Sequence, residues 1–145
     1  KLMPLATLLT PNIPEAEVLA GMEIHSVADC DEAARRIVCG CKGGLLIKGG
    51  HVDGDKKQDR LYHPDGHFVC SYVCDTVDTD NTHGTGCTLS SAIASYLAKG
   101  AGVREAIRQA KGYVTAALQA GADVEIGHGH GPVNHFFNPM RLEKC

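Results

Sequence analysis

Asn81-Thr82-His83-Gly84-Thr85-Gly86-Cys87-Thr88 is the stretch of this chain whose residue types and spacing could do chemistry. Gly84 and Gly86 let the backbone turn tightly and approach a ligand closely. The small and apolar residues that follow, 87–98, read as a helix closed by Gly100. The first N–H groups of a helix lack internal partners and point out of its end. Glycine turn and helix start together suit an anion, above all a phosphoryl group in transfer. Thr82, Thr85 and Thr88 add hydroxyls around the turn. Cys87 falls at the helix start, where the dipole favours a thiolate. Such a thiolate can take the proton of a substrate hydroxyl as that hydroxyl attacks phosphorus, or it can act as a nucleophile. The plain alternative is a tight turn followed by a cysteine without chemistry.

Two other places offer matching groups. Thr10-Pro11-Asn12-Ile13-Pro14-Glu15 follows an apolar run and precedes a helix. Asn12 and Glu15 both present oxygen, which a hydrated Mg²⁺ prefers; turn and helix-dipole chemistry is the simpler use of the same residues. Lys48, in Leu45-Leu46-Ile47-Lys48-Gly49-Gly50-His51, also follows a strand-like run, and its charge there suits nucleotide phosphates. Strand ends are the usual edge for ligands in parallel sheets, so these features point to one edge of one sheet. His128, His130 and His135 are interleaved with Gly and Pro, which suits a shaped wall near a ligand better than a metal site. Asp75, Asp78 and Asp80 read as a solvated strand edge.

The elements that must position these groups follow from the pattern. Residues 5–9 read as a buried strand closed by Thr10-Pro11-Asn12. Pro14 opens a short helix with Glu15 and Glu17 in its first turn, ended by Gly21. Ser26 and Asp29 resemble a capping box for a second helix, with Ala33, Ile37 and Val38 at helical spacing and Gly40 as the stop. Residues 44–48 form a second buried strand. Residues 51–59 read as a solvated loop, and 59–63 and 67–73 as a hairpin about Pro64-Asp65-Gly66, with Phe68, Cys70 and Tyr72 on one face. Residues 75–86 form a polar loop. The Ala- and Ser-rich helix after it reads as tightly packed. Residues 103–120 form a last helix with Ala106, Ile107, Ala110, Val114, Ala117 and Leu118 on one face, ended by Gly121. The stretch 127–136 is a rigid loop with a final strand. Strands alternating with helices give an α/β layered fold with a mainly parallel sheet.

At 145 residues the chain is expected to be one domain. Hydrophobic residues make up 43% and charged residues 21%, which suits a globular chain and not a disordered one. A net charge of −3 with no Lys/Arg block argues against nucleic acid as a partner. The apolar runs fall far short of the ~20 residues that a membrane span needs, and the start carries no signal-peptide pattern. The odd count of seven cysteines at irregular spacing, with no Cys-x-x-Cys pair, fits reduced thiols in a cytoplasmic protein. The Cys39/Cys41 and Cys70/Cys74 pairs read as small buried apolar residues. The chain opens on Lys1 rather than Met, directly into a strand-like run, which reads as a fragment or a processed product.

The Thr10–Glu17 stretch, Ile47-Lys48-Gly49-Gly50-His51, the glycine octet and Gly131-Pro132-Val133-Asn134-His135-Phe136 together resemble the hydroxymethylpyrimidine/phosphomethylpyrimidine kinases of thiamine biosynthesis, within the ribokinase-like superfamily. The resemblance runs in order over nearly the whole chain and corresponds to the C-terminal, nucleotide-binding part of a single kinase domain. It implies a ribokinase-like fold and ATP-dependent phosphorylation of hydroxymethylpyrimidine and of its monophosphate. It implies that Gly84, Thr85 and Gly86 form an anion hole and that Cys87 stands where most ribokinase-like enzymes place an aspartate base. Asn12 and Glu15 match the element that orders Mg²⁺ and its waters. Lys48, Thr79, Asn81 and Thr82 would lie by the nucleotide phosphates, and the helix from Val103 would border the adenine. Relatives often carry basic residues ahead of Asn81, where Thr76, Asp78 and Asp80 stand here. A pyridoxal kinase of the same lineage shares the Gly-Thr-Gly-Cys loop and is the alternative enzyme. A chain without the N-terminal half, which supplies much of the pyrimidine pocket, could instead be catalytically silent, acting as a homo-oligomer or with the missing half.

Overall fold

The computed structural model describes residues 2–51, 57–74 and 76–139. The chain divides into two compact units, Lys1–Thr76 and Val77–Cys145.

The first unit is a four-stranded sheet with two helices. A 3-10 turn over Met3–Leu5 leads into a short strand β1, Leu8–Leu9. The expected strand over 5–9 is thus cut to its last two residues, because Pro4 starts the 3-10 turn and supplies no N–H to a ladder. Helix α1, Ile13–Ala20, opens on Asn12 and closes on Gly21, whose φ of 63° is left-handed. Helix α2, Val27–Val38, opens on Ser26, whose side chain accepts from Asp29 N. Cys30, Ala33, Ala34, Ile37 and Val38 are buried, one stripe at helical spacing. They meet Leu45 and Ile47 of β2, Gly44–His51, and Tyr62 of β3, Lys57–Tyr62, in the core. Strand β4, Phe68–Cys74, completes the order β1-β2-β3-β4.

The α/β layering is as expected, but the sheet is mixed. Only β1 pairs β2 in parallel, while β2–β3 and β3–β4 are antiparallel. Only 52–56 separate β2 from β3 and only 63–67 separate β3 from β4, too few residues for the crossover of a dozen or more that parallel pairing needs. Strand β3 takes in Lys57 and Gln58, expected in a loop, ahead of Asp59, where the hairpin was expected to begin; 52–56 lie outside the described residues, as do Lys1, Asp75 and Cys145. Of the cysteines expected to be buried in pairs, Cys39 is exposed and Cys41, Cys70 and Cys74 are half-buried. Cys39 caps the end of α2, and Cys70 and Cys74 share the less exposed face of β4.

The second unit holds helices α3, Thr85–Ala98, and α4, Val103–Gln119, packed on each other. Gly100, at φ 90°, turns the chain between them. Helix α4 buries Ala106, Ile107, Ala110 and Ala117. Helix α3 buries only Leu89 and Ile93, and Ser90, Ser91, Ala94, Ser95 and Ala98 stay exposed, so the expectation of tight packing fails within this unit. Small side chains permit close approach without choosing a face. The expected final strand is a single bridge, His83 to Pro132. No described helix is long and apolar enough to cross a membrane.

Candidate functional site

The candidate groups fall into two sets, one in each unit. In the first unit Asn12 and Lys48 come together, Asn12 just after β1 but Lys48 inside β2, which runs on to His51 instead of ending at Lys48 as expected. They form a parallel bridge, and Lys48 N–H donates to Pro11 O at 2.8 Å. The Lys48 ammonium is half-buried and donates to Thr10 O. Asn12 and Glu15 form a complete capping box. Glu15 N–H donates to Asn12 Oδ1 and Asn12 N–H to Glu15 Oε2, each at 2.8 Å. The local use of these residues is therefore the helix cap.

That cap still leaves a donor set suited to one kind of cation. Asn12 and Glu15 are exposed and supply only hard oxygen atoms. One carboxylate suits Mg²⁺, which keeps several waters and draws on phosphate oxygens for the rest. Among the described residues no group of three His, Cys, Asp or Glu could hold a metal by itself, His128, His130 and His135 included.

Sequence reasoning missed Asp59. Its carboxylate is buried and accepts from Gly49 N–H at 2.8 Å, where the β2–β3 register shifts between Ile47 and Gly50. Gly49, at φ 76°, makes that irregularity directly after Lys48. The signal was absent because Asp59 stands where a polar stretch passes into the hairpin, and its partner, Gly49 N–H, is brought near only by the pairing of β2 with β3.

In the second unit the glycine octet does start a helix. Gly84 is the N-cap at φ 85° and ψ 0°, with no side chain to cap the amides that follow. Thr85 N–H and its hydroxyl turn back onto Thr82 O at 3.3 and 3.1 Å. Thr88 N–H and its hydroxyl both donate to Gly84 O. The N–H groups of Gly86 and Cys87 then find no acceptor among the described residues. Both residues are exposed, Cys87 at the third helical position. Two open amides, the positive end of the helix and an accessible thiol share one spot. A groove of about 530 Å³ runs from Cys87 along α3 past Ser91 and Tyr96 to Lys99, with Tyr113 and His135 on its other wall.

Thr79, Asn81 and Thr82 lie in the loop that leads to this helix. The Thr79 hydroxyl accepts from Asn81 N–H at 3.1 Å and reaches Ala122 O at 3.4 Å. Asn81 is buried, and its amide donates to Gly121 O and Val124 O. Thr82 is exposed. His130 Nδ1 lies 3.2 Å from Asp80 O, so the tail reaches back to this loop.

Against known proteins, the family model described as phosphomethylpyrimidine kinase matches residues 1–134. A thiamine biosynthesis bifunctional protein of Geobacter sulfurreducens is 48% identical over 135 residues, 93% of this chain and 27% of that protein. A hydroxymethylpyrimidine/phosphomethylpyrimidine kinase of Rhizobium meliloti is 42% identical over 139 residues, 94% of this chain and 51% of that protein. Among solved structures, a Bacillus subtilis pyridoxal kinase in an ADP complex superposes with a TM-score of 0.80 at 40% identity, over 92% of this chain and 51% of that one. A phosphomethylpyrimidine kinase from Clostridium difficile 630 gives 0.62 at 40% identity, over 81% and 45%. The chain spans about half the length of these relatives, or less.

Proposed function

The chain belongs to the phosphomethylpyrimidine kinase family, and from that premise we propose that it carries the nucleotide-binding part of an ATP-dependent kinase acting on hydroxymethylpyrimidine and then on its monophosphate. The observation that carries this reading is the pair of open amides, Gly86 and Cys87, beside an exposed thiol at the start of α3. Cys87 Sγ, as thiolate, takes the proton of the substrate hydroxymethyl group. The freed oxygen attacks the γ-phosphorus of ATP, the bond to the β-phosphate oxygen breaks, and ADP leaves. The Gly86 and Cys87 amides receive the charge on the transferring oxygens in place. Lys48, Thr79, Asn81 and Thr82 serve the nucleotide side, Asn81 through its backbone and its hold on the loop. Mg²⁺, when bound with ATP, supplies charge neutralisation on the phosphates, and Asn12 and Glu15 are the residues that would hold it through water. We place the protein in the cytoplasm, with the pyrimidine pocket completed by the half that the relatives carry or by another copy of the chain.

The test is Cys87→Ala in the intact enzyme. Loss of a general base predicts a fall in kcat of about 10²–10⁴ with ATP affinity retained; an unchanged kcat removes Cys87 from the chemistry. A second reading, a pyridoxal kinase, is favoured by the TM-score of 0.80 against pyridoxal kinase. Comparison of kcat/KM for hydroxymethylpyrimidine and for pyridoxal separates the two.

A further inference from the structure

We propose that Asn81 is a positioning residue for the glycine loop, holding the Gly86 and Cys87 amides in place from behind rather than touching the nucleotide with its side chain. Both hydrogens of its amide are used, one on Gly121 O at 2.6 Å and one on Val124 O at 2.7 Å. These carbonyls belong to the turn that follows α4, forty residues along the chain. The other face of the amide is filled as well. A Cβ at Gly131 would overlap Asn81 Oδ1 and Cγ, so Gly131 is glycine because Asn81 lies against it. Two residues on, His83 N–H donates to Gly131 O at 3.1 Å, and His83 bridges Pro132. Gly84, the N-cap of α3, is next in the chain. One buried side chain thus fastens the entry to the loop to two other segments, immediately before the chain makes its left-handed turn.

The chemistry demands an amide here. Two carbonyl oxygens face the Nδ2 position, so the group must donate twice. An aspartate of the same size would bring a third oxygen and a negative charge against two carbonyls, both of which lose the amide donor, with Gly121 O keeping only Val124 N–H at 3.2 Å. The consequence for turnover rests on reading the loop as a phosphate cradle; the structural claim does not.

The experiment compares the intact enzyme with Asn81→Asp, Asn81→Ala, Gly131→Ala and the Asn81→Ala/Gly131→Ala pair. Hydrogen exchange of the peptide spanning 82–88 and the alkylation rate of Cys87 by iodoacetamide, read by mass spectrometry, report the loop without reference to activity. Exchange over 82–88 is expected to rise roughly tenfold or more in each single variant while α4 keeps its protection. Turnover is expected to fall about 100-fold with KM for ATP nearly unchanged, as for loss of one aligned donor at a transferring group. The double variant is expected to be no worse than the worse single one, because both changes break the same contact. Unchanged exchange at 82–88 overturns the proposal, as does exchange that rises equally through α3 and α4. Losses that multiply in the double variant, or a raised KM with kcat intact, overturn it in favour of a direct nucleotide contact. Should the parent enzyme phosphorylate neither pyrimidine nor pyridoxal, the exchange and alkylation data still decide the role of Asn81, and the failure falls on the proposed function alone.

Discussion

Tyr62→Phe should destabilise the first unit at neutral pH, by an amount that shrinks above pH ~10 and reaches zero near pH ~11.5. Arg60 is buried in β3, its guanidinium 4.2 Å from the centre of the Phe68 ring. Its Nε donates to Tyr62 OH at 2.9 Å, and its terminal nitrogen donates to Asp31 Oδ1 of α2 at 2.9 Å. The Tyr62 hydroxyl itself donates to Asp31 Oδ1 at 2.8 Å, closing a triangle that ties helix to sheet. Removing the hydroxyl leaves a buried cationic N–H without an acceptor, and hydrogen bonds to charged groups are worth about 1.5–3 kcal/mol. Asp31 is one-third exposed, so water offsets part of the loss, and about 2 kcal/mol is expected at pH 7. Burial pushes the Tyr62 phenol well above its ordinary value, with the hydrogen bond to Asp31 acting in the same direction and Arg60 opposing. The folded form therefore keeps its proton where the unfolded form, titrating near ~10, loses it. A raised folded pKa gives stability that is fully present below pH ~10 and is lost as pH rises beyond it, by about 1.4 kcal/mol per unit. The advantage of the parent over Tyr62→Phe should vanish about 1.5 units into that limb, near pH ~11.5. Urea unfolding followed by circular dichroism under reducing conditions, at pH 7, 10, 10.5, 11 and 11.5, measures both curves. An offset that stays constant from pH 7 to 11.5 would refute the triangle as described.

The capping box and the glycine turn give further tests. Asn12→Ala should cost about 1 kcal/mol of stability through loss of the cap, whereas Glu15→Gln keeps an oxygen for Asn12 N–H and should cost under about 1 kcal/mol. If Glu15 also orders Mg²⁺, Glu15→Gln should raise the Mg²⁺ needed for half-maximal ATP-dependent turnover by about tenfold or more; an unaltered Mg²⁺ titration leaves Glu15 as a cap alone. Gly84→Ala should cost about 1–2 kcal/mol from backbone strain only, since nothing lies within 4 Å of where its Cβ would sit. Gly84→Asn should cost less because asparagine tolerates the left-handed region, and equal melting temperatures for the two variants would show that the turn had rearranged.

What could be read in the sequence was what the chain decides locally. Asn12 with Glu15, Ser26 with Asp29, and Gly21 each act within four residues, and the structure has all three where their types suggest. Pro64-Asp65-Gly66 turns the hairpin for the same reason. The direction of the sheet was less accessible, because alternation of strands and helices holds only as far as β2. Cysteine burial was misjudged because a small side chain suits a core and a strand surface equally well. The hold of Asn81 on Gly121 and Val124 and of Asp59 on Gly49 depends on partners that only folding brings near. Composition and spacing carry no trace of such contacts, and Asn81 in particular reads as a ligand because it stands beside the glycines that make the site.

The start of α3 leaves open the third amide that α1 and α2 fill, and the reason is one absent side chain. Asn12 and Ser26 each turn an oxygen onto the third amide of their helices, Glu15 N–H and Asp29 N–H. At that third amide a phosphate would have to displace a bond already made. Gly84 has no such oxygen, so the equivalent amide, that of Cys87, stays open together with that of Gly86. Absence of a cap is not sufficient by itself. Helix α4 begins at Gly102 without a side-chain cap, yet at φ −68° that position would accept a serine or aspartate. Gly84 at φ 85° would not, since a side chain there is strained before it can reach an amide. The left-handed turn therefore does two things at once. It aims the first amides of α3 outward, and it bars the residues that would cap them.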